Sequence, residues 1–164
     1  MAGRGSFLEK IVERASEHYR AKHVALINKI PTPTRVIGRM NRYGQFKACF
    51  DKKSTVDFIG ITRGIYIAFD CKETKVKRLP LSYIHEHQLE YLRLVESQGG
   101  TSFFVVYFTE ANKYYRISIT EFDEYFRKNE NKKSIPMEYF SENCTTLGWK
   151  DSELDYLEGI ERRD

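Results

Sequence analysis

Near the start of the chain, apolar residues return at three- and four-residue steps. Phe7, Leu8, Ile11, Val12, Ala15 and Tyr19 form one stripe, which predicts a helix over residues 5–22. Ser6 followed three positions later by Glu9 has the spacing of a capping box at its start. From His23 to Ile30 the pattern changes to alternation, with Val24, Leu26 and Ile30 as the apolar face of a strand. Pro31-Thr32-Pro33 then breaks regular structure.

Residues 34–53 have strand propensity on either side of an Asn41-Arg42-Tyr43-Gly44 turn signal, but too few strongly apolar positions to bury two faces. They read as a hairpin arm projecting from the domain. Three β-rich stretches follow: Thr55–Ile61, Ile65–Lys72 and Thr101–Phe108. Arg63-Gly64 predicts a tight antiparallel turn between the first two. A helix is expected over residues 82–97, stopped by Gly99-Gly100. Lys113–Ile119 reads as a strand, and Thr120 as the cap of a helix reaching about residue 128. A short helix is expected at 151–159. This order predicts one α/β domain over residues 1–164, with a mixed central sheet flanked by helices and a protruding β stalk at 34–53.

Composition agrees with a globular chain: of 164 residues, 41% are hydrophobic and 30% charged. The charge is unevenly spread. Residues 1–120 hold 20 Lys and Arg against 11 Asp and Glu, whereas residues 121–164 hold 7 against 12. A basic body suggests a polyanionic partner, and an ordinary solvated surface is the alternative. Cys49, Cys71 and Cys144 are odd in number and widely spaced, so neither a disulfide framework nor a zinc site is expected. Reduced thiols, no apolar secretory segment and no membrane-length apolar run lead to the expectation of a cytoplasmic protein without a membrane partner.

The candidate chemistry lies on the two strands joined by Arg63-Gly64. In the second, Ile65, Ile67 and Phe69 share one face, and Tyr66, Ala68, Asp70 and Lys72 the other. In the first, Val56, Phe58 and Gly60 are expected on one face, with Thr55, Asp57 and Ile59 opposite. Two nearby carboxylates suit Mg²⁺, and an adjacent lysine can hold water or neutralise charge on a phosphate undergoing attack. The plainer reading is a salt bridge between Asp70 and Lys72 at a strand end with Asp57 solvated. Lys75, Lys77 and Arg78 follow as a phosphate track, and on a helix starting near Ser82 His85 and Gln88 would share a face. His85 and His87 make a poor zinc pair, because i and i+2 diverge on a helix.

The run Ser54-Thr55-Val56-Asp57 through Gly60, Arg63-Gly64 and Phe69-Asp70-Cys71-Lys72-Glu73-Thr74-Lys75 resembles the RecU family of Holliday-junction resolvases. That family is related to restriction-type nucleases of the PD-(D/E)XK class and is also labelled penicillin-binding-protein-related factor A. Arg4-Gly5, Leu8-Glu9, Ile30-Pro31-Thr32-Pro33, Pro80-Leu81 and His85-Glu86-His87-Gln88 extend the resemblance over roughly residues 3–108. It implies a restriction-endonuclease-like core and a homodimer whose stalk enters the centre of a four-way junction. It further implies Mg²⁺-dependent, symmetric phosphodiester hydrolysis in recombination and repair, with Mn²⁺ as a substitute metal and recombination proteins as further partners. By position, Asp57, Asp70 and Lys72 would be catalytic. Asp57, Asp70, Thr55 and Gln88 would serve the metal, and Glu9 would support them. Arg35, Arg39, Arg42, Lys47, Lys52, Lys53, Lys75, Lys77 and Arg78 would contact DNA. Two departures stand out: the family more often has Glu at the place of Asp70, and the run from Asp70 to Gln88 is one residue shorter. Two alternatives remain: a non-catalytic DNA-binding recombination regulator, and a nuclease of the same class acting on another DNA.

Overall fold

The computed structural model describes residues 6–50 and 55–161. Helix α1 spans Phe7–Ala21 and buries Leu8, Ile11, Val12, Ala15 and Tyr19. Ser6 Oγ accepts a hydrogen bond from Glu9 N at 3.2 Å, which is half of the expected box. The Glu9 carboxylate instead pairs with Lys29 Nζ at 2.8 Å.

Strands β1 (Ala25–Lys29), β2 (Thr34–Ile37), β3 (Lys47–Phe50), β4 (Phe58–Thr62) and β5 (Ile65–Thr74) follow. β6 (Arg78–Pro80) leads through a 3₁₀ turn at Leu81–Tyr83 into α2 (Glu86–Ser97). Then come β7 (Thr101–Phe108), β8 (Lys113–Ser118), α3 (Ile119–Lys128), β9 (Ser134–Pro136) and α4 (Met137–Asn143). β10 (Thr145–Thr146), β11 (Trp149–Lys150) and β12 (Glu153–Leu154) complete the order. The main sheet runs β1-β4-β5-β7-β8-β10. β5 and β7 are parallel, joined by α2 as the crossover, and the other neighbours are antiparallel. This is the expected mixed sheet between helices. On one face α1 and the C-terminal residues Leu154, Tyr156 and Leu157 cover Phe58, Ile67, Phe69 and Phe103. On the other, Leu92 of α2, Phe122 of α3 and Phe140 of α4 cover Ala68, Phe104, Val106 and Ile117.

Several expectations need correction. β1 buries Ala25 and Ile27, while Val24 and Leu26 are exposed. Four consecutive apolar residues left the face undetermined, and packing under α1 selected the other one. Val56 and Phe58 lie in different hydrophobic clusters, so alternation does not carry through the bend at Asp57. α3 is capped by Ser118, not Thr120: Ser118 Oγ accepts from Glu121 N at 3.0 Å, and Glu121 Oε2 accepts from Ser118 N at 2.8 Å. Residues 151–159 form no helix. Asp151 and Ser152, with φ of 53° and 65°, make the two-residue turn between β11 and β12. Helix α4 has no counterpart in the sequence reading.

The stalk is a two-stranded ribbon, with Thr34 opposite Phe50 and Ile37 opposite Lys47. Its tip is closed by Asn41, whose Oδ1 accepts from Tyr43 N and Gln45 N, both at 2.9 Å. All of residues 31–48 are exposed. Among the described residues, no helix is long and apolar enough to cross a membrane.

Candidate active site

Asp57 and Asp70 are held by a reciprocal clamp across β4 and β5. Phe58 pairs with Phe69 in the ladder, which brings the preceding residue alongside Asp70. Asp57 N donates to Asp70 Oδ1 at 3.0 Å, and Cys71 N donates to Asp57 Oδ2 at 2.8 Å. Asp70 is 1% exposed and Asp57 half-buried, and a backbone N–H holds one oxygen of each carboxyl.

Lys72, two residues along the same face, places Nζ 2.6 Å from Asp70 Oδ2 with its side chain 12% exposed. Gln88 joins the two: its Nε2 donates to Asp70 Oδ2 and its Oε1 accepts from Lys72 Nζ, each at 3.1 Å. Gln88 Oε1 also accepts from His85 N at 3.1 Å, which fixes the amide from the helix side. α2 begins at Glu86 rather than near Ser82, with His85 as its N-cap. His85 and Gln88 therefore do not share a helical face. The shorter run before Gln88 still delivers it to the carboxylate.

Burial raises the pKa of Asp57 above the ordinary carboxylate range, and the Asp70 charge raises it further, with smaller contributions from a hydrogen bond between the two carboxyls and from Glu9. Of the plain salt-bridge reading, the Asp70–Lys72 contact is present, but Asp57 is half-buried against Asp70 rather than solvated. Cys71, buried beside the pair, is pushed well above the usual thiol range by burial and by the two aspartates, which disfavours its thiolate. Glu9, in the first turn of α1, lies near enough for its charge to add a small upward push to the Asp57 pKa. Sequence reasoning missed two neighbours. Lys29 holds Glu9, and Glu73 accepts a hydrogen bond from Leu8 N, pinning the start of α1 to β5. Lys29 had one signal, a cation at the end of a strand leading toward the acidic pair.

Thr55 is exposed on the approach to Asp57. Lys75, Lys77 and Arg78 are exposed beyond β5, in a loop closed by Thr74 Oγ1 on the Arg78 carbonyl at 3.1 Å. Arg35, Arg39, Arg42 and Lys47 are exposed on the stalk, well separated in sequence from the carboxylates. Lys52 and Lys53 lie outside the described residues.

The donor set fits a hard divalent cation in its chemistry: two adjacent carboxyl groups with no thiolate or imidazole between them. Among the described residues, no group of three or more His, Cys, Asp or Glu side chains is arranged to hold a metal by itself. Such a cation would take its remaining ligands from water and phosphate.

The sequence profile of the family described as Recombination protein U, RecU, matches residues 3–162. The chain belongs to the RecU family. It is 31% identical over 147 residues to the Holliday junction resolvase RecU of Streptococcus gordonii, covering 87% of this chain and 74% of that one. It is 29% identical over 168 residues to the same-named protein of Streptococcus sanguinis, covering 99% and 84%. The RecU match extends past residue 108, where the resemblance read from the residues had ended. The fold is similar to that of Hjc, a Holliday junction resolvase from Archaeoglobus fulgidus, with a TM-score of 0.51 at 10% identity, covering 84% of this chain and 93% of that one.

Proposed function

We propose that this chain is a single nuclease domain that resolves four-way DNA junctions, as a homodimer, by Mg²⁺-dependent phosphodiester hydrolysis. The observation that carries the reading is the pairing of half-buried Asp57 with buried Asp70, with Lys72 locked beside it through Gln88. Asp57 and Asp70 would hold the cation, which when bound polarises the scissile phosphate and acidifies the attacking water. Lys72 gives one N–H to Asp70 and one to Gln88. The third remains for the attacking water or a non-bridging phosphate oxygen, where its charge offsets what develops at phosphorus. Gln88 positions both Lys72 and Asp70. Family membership supports branched DNA as substrate, as does the exposed stalk with its arginines. The free thiols fit a cytoplasmic protein acting on DNA.

The test is cleavage of a four-way junction, linear duplex and single strand, with and without Mg²⁺. The junction should be cut only with metal, and at least about tenfold faster than duplex. Replacing Arg35, Arg39 and Arg42 together by alanine should weaken junction binding and flatten its salt dependence, because each lost phosphate contact lowers the counterion slope by about one. Equal cutting of junction and duplex, with an unchanged slope, would refute the junction reading.

A bare patch on the main sheet supports the homodimer. Leu26, Ile61 and Tyr66 stand in one cross-strand row and are 43%, 47% and 41% exposed. They face the side occupied by α2, since the Tyr66 and Tyr91 hydroxyls meet at 2.9 Å, but α2 does not cover them. An apolar row on the face that bears Asp70 is a suitable seat for a second copy, and a second copy would supply the second cut. Ile61→Glu should convert a dimer to a monomer in sedimentation equilibrium. An unchanged mass would place the interface elsewhere.

A further inference from the structure

We propose that His85 and His87 form a phosphate-binding pair next to the carboxylate site, gripping the DNA strand beside the scissile bond. This inference rests on the endonuclease reading and extends its substrate contacts.

The pair is a product of the tertiary structure. The 3₁₀ turn at Leu81–Tyr83 and the buried anchor Ile84 delay α2, leaving His85 extended, with φ −94° and ψ 146°. Its ring therefore leaves the helical path and stacks on that of His87, with centroids 5.6 Å apart and planes 13° from parallel. In a continuous helix, positions two apart would diverge. His85 is exposed and His87 half-buried, so neither ring fills the core.

The location points to phosphate. The next residue, Gln88, touches both Asp70 and Lys72, and the backbone N–H of His85 holds that same amide. An anion at the two rings would thus sit next to the reacting phosphate. Glu86 and His87 open α2, where the amides have no carbonyl one turn back, and this adds a favourable field. Glu86, the acidic residue between the two histidines in the chain, is engaged by Arg93 Nη1 at 3.4 Å. Lys75, Lys77 and Arg78 lie exposed just after β5, so further cations follow the Asp70–Lys72 segment along the chain. The His85 side chain accepts from the Gln88 backbone N–H as the cap of α2, and a neutral imidazole that accepts at one ring nitrogen carries its N–H on the other, a donor that suits a phosphate oxygen better than a metal.

The experiment is a cycle between protein and substrate, following single-turnover cleavage of a four-way junction in Mg²⁺. Uncharged methylphosphonates replace, one at a time, the phosphates flanking the scissile bond. For wild type, one position should lower the cleavage efficiency about tenfold. The His85→Ala/His87→Ala double variant should lose about tenfold on ordinary DNA and show no further loss at that position. His87→Ala alone, which leaves the N-cap residue in place, should show the same non-additivity in part, and His87→Gln should recover some activity. Thermal midpoints of the variants report whether the fold is kept. Fully additive losses at every flanking position, in variants that keep their midpoint, overturn the phosphate contact and leave the endonuclease reading standing. A wild-type protein that cuts no DNA overturns both.

Discussion

Asp57→Ala should reduce Mg²⁺-dependent junction cleavage by about a thousandfold or more, while junction binding stays close to wild type. On the proposed reading this carboxylate is half of the cation's protein donor set, and the stalk that is proposed to dock the DNA is a separate two-stranded ribbon. The same position makes a second measurement informative. Burial and the Asp70 charge raise the Asp57 pKa above its unfolded value of about 4. The folded state therefore binds the proton more tightly than the unfolded chain does. Stability associated with this group is fully present below the unfolded pKa and is lost as pH rises through the folded one. Asp57→Asn removes that liability and retains an oxygen for Cys71 N. In chelator at pH 8 it should unfold later than wild type, by on the order of 1 kcal/mol or more, with the gap closing toward pH 4. Lost cleavage together with gained stability marks a residue placed for chemistry at a cost to folding. A variant that cuts normally, or one that is less stable at pH 8, would sink the assignment.

Gly60→Ala should be the most damaging small substitution in the sheet. A Cβ at Gly60 would lie 2.0 Å from the Leu26 carbonyl oxygen and 2.7 Å from Ile27 Cα. Both are backbone atoms of β1, so no side chain can turn aside to make room. β1 would have to move away from β4, disturbing Ala25 and Ile27 beneath α1 and the bond from Ile30 N to the Asp57 carbonyl at 2.7 Å. The expected loss is about 3 kcal/mol, a fall in thermal midpoint of roughly 10 °C. Cleavage should fall as well, because the Asp57 backbone loses its neighbour. A midpoint within 2 °C of wild type, taken as roughly the resolution of a small effect, would mean that the sheet edge yields far more easily than its geometry implies.

Much of the site was legible from local pattern. The period of two in β5 separated Ile65, Ile67 and Phe69 from Ala68, Asp70 and Lys72 because successive side chains of a strand must point to opposite faces. The Arg63-Gly64 turn, with φ of 51° and 79°, and the stalk turn ending at Gly44, with φ of 76°, depend on residues that tolerate left-handed backbone. These rules act within a few residues, so the sequence alone determined the hairpin bearing the acidic pair, the stalk and the Asp-x-Lys chemistry.

Other features were decided only by tertiary structure. With Val24, Ala25, Leu26 and Ile27 all apolar, the buried face of β1 depended on α1, and the result left Leu26 in the exposed row. The seating of Asp57 against Asp70 and the meeting of Gln88 with Asp70 depend on partners 13 and 18 residues apart in the chain. Local propensity carries no information about which groups arrive across such a gap. The sequence thus determined which residues could do the chemistry. The packing of α1 and α2 on opposite faces of the sheet decided which of them meet, because only there are the carboxylates removed from water and the lysine held against them.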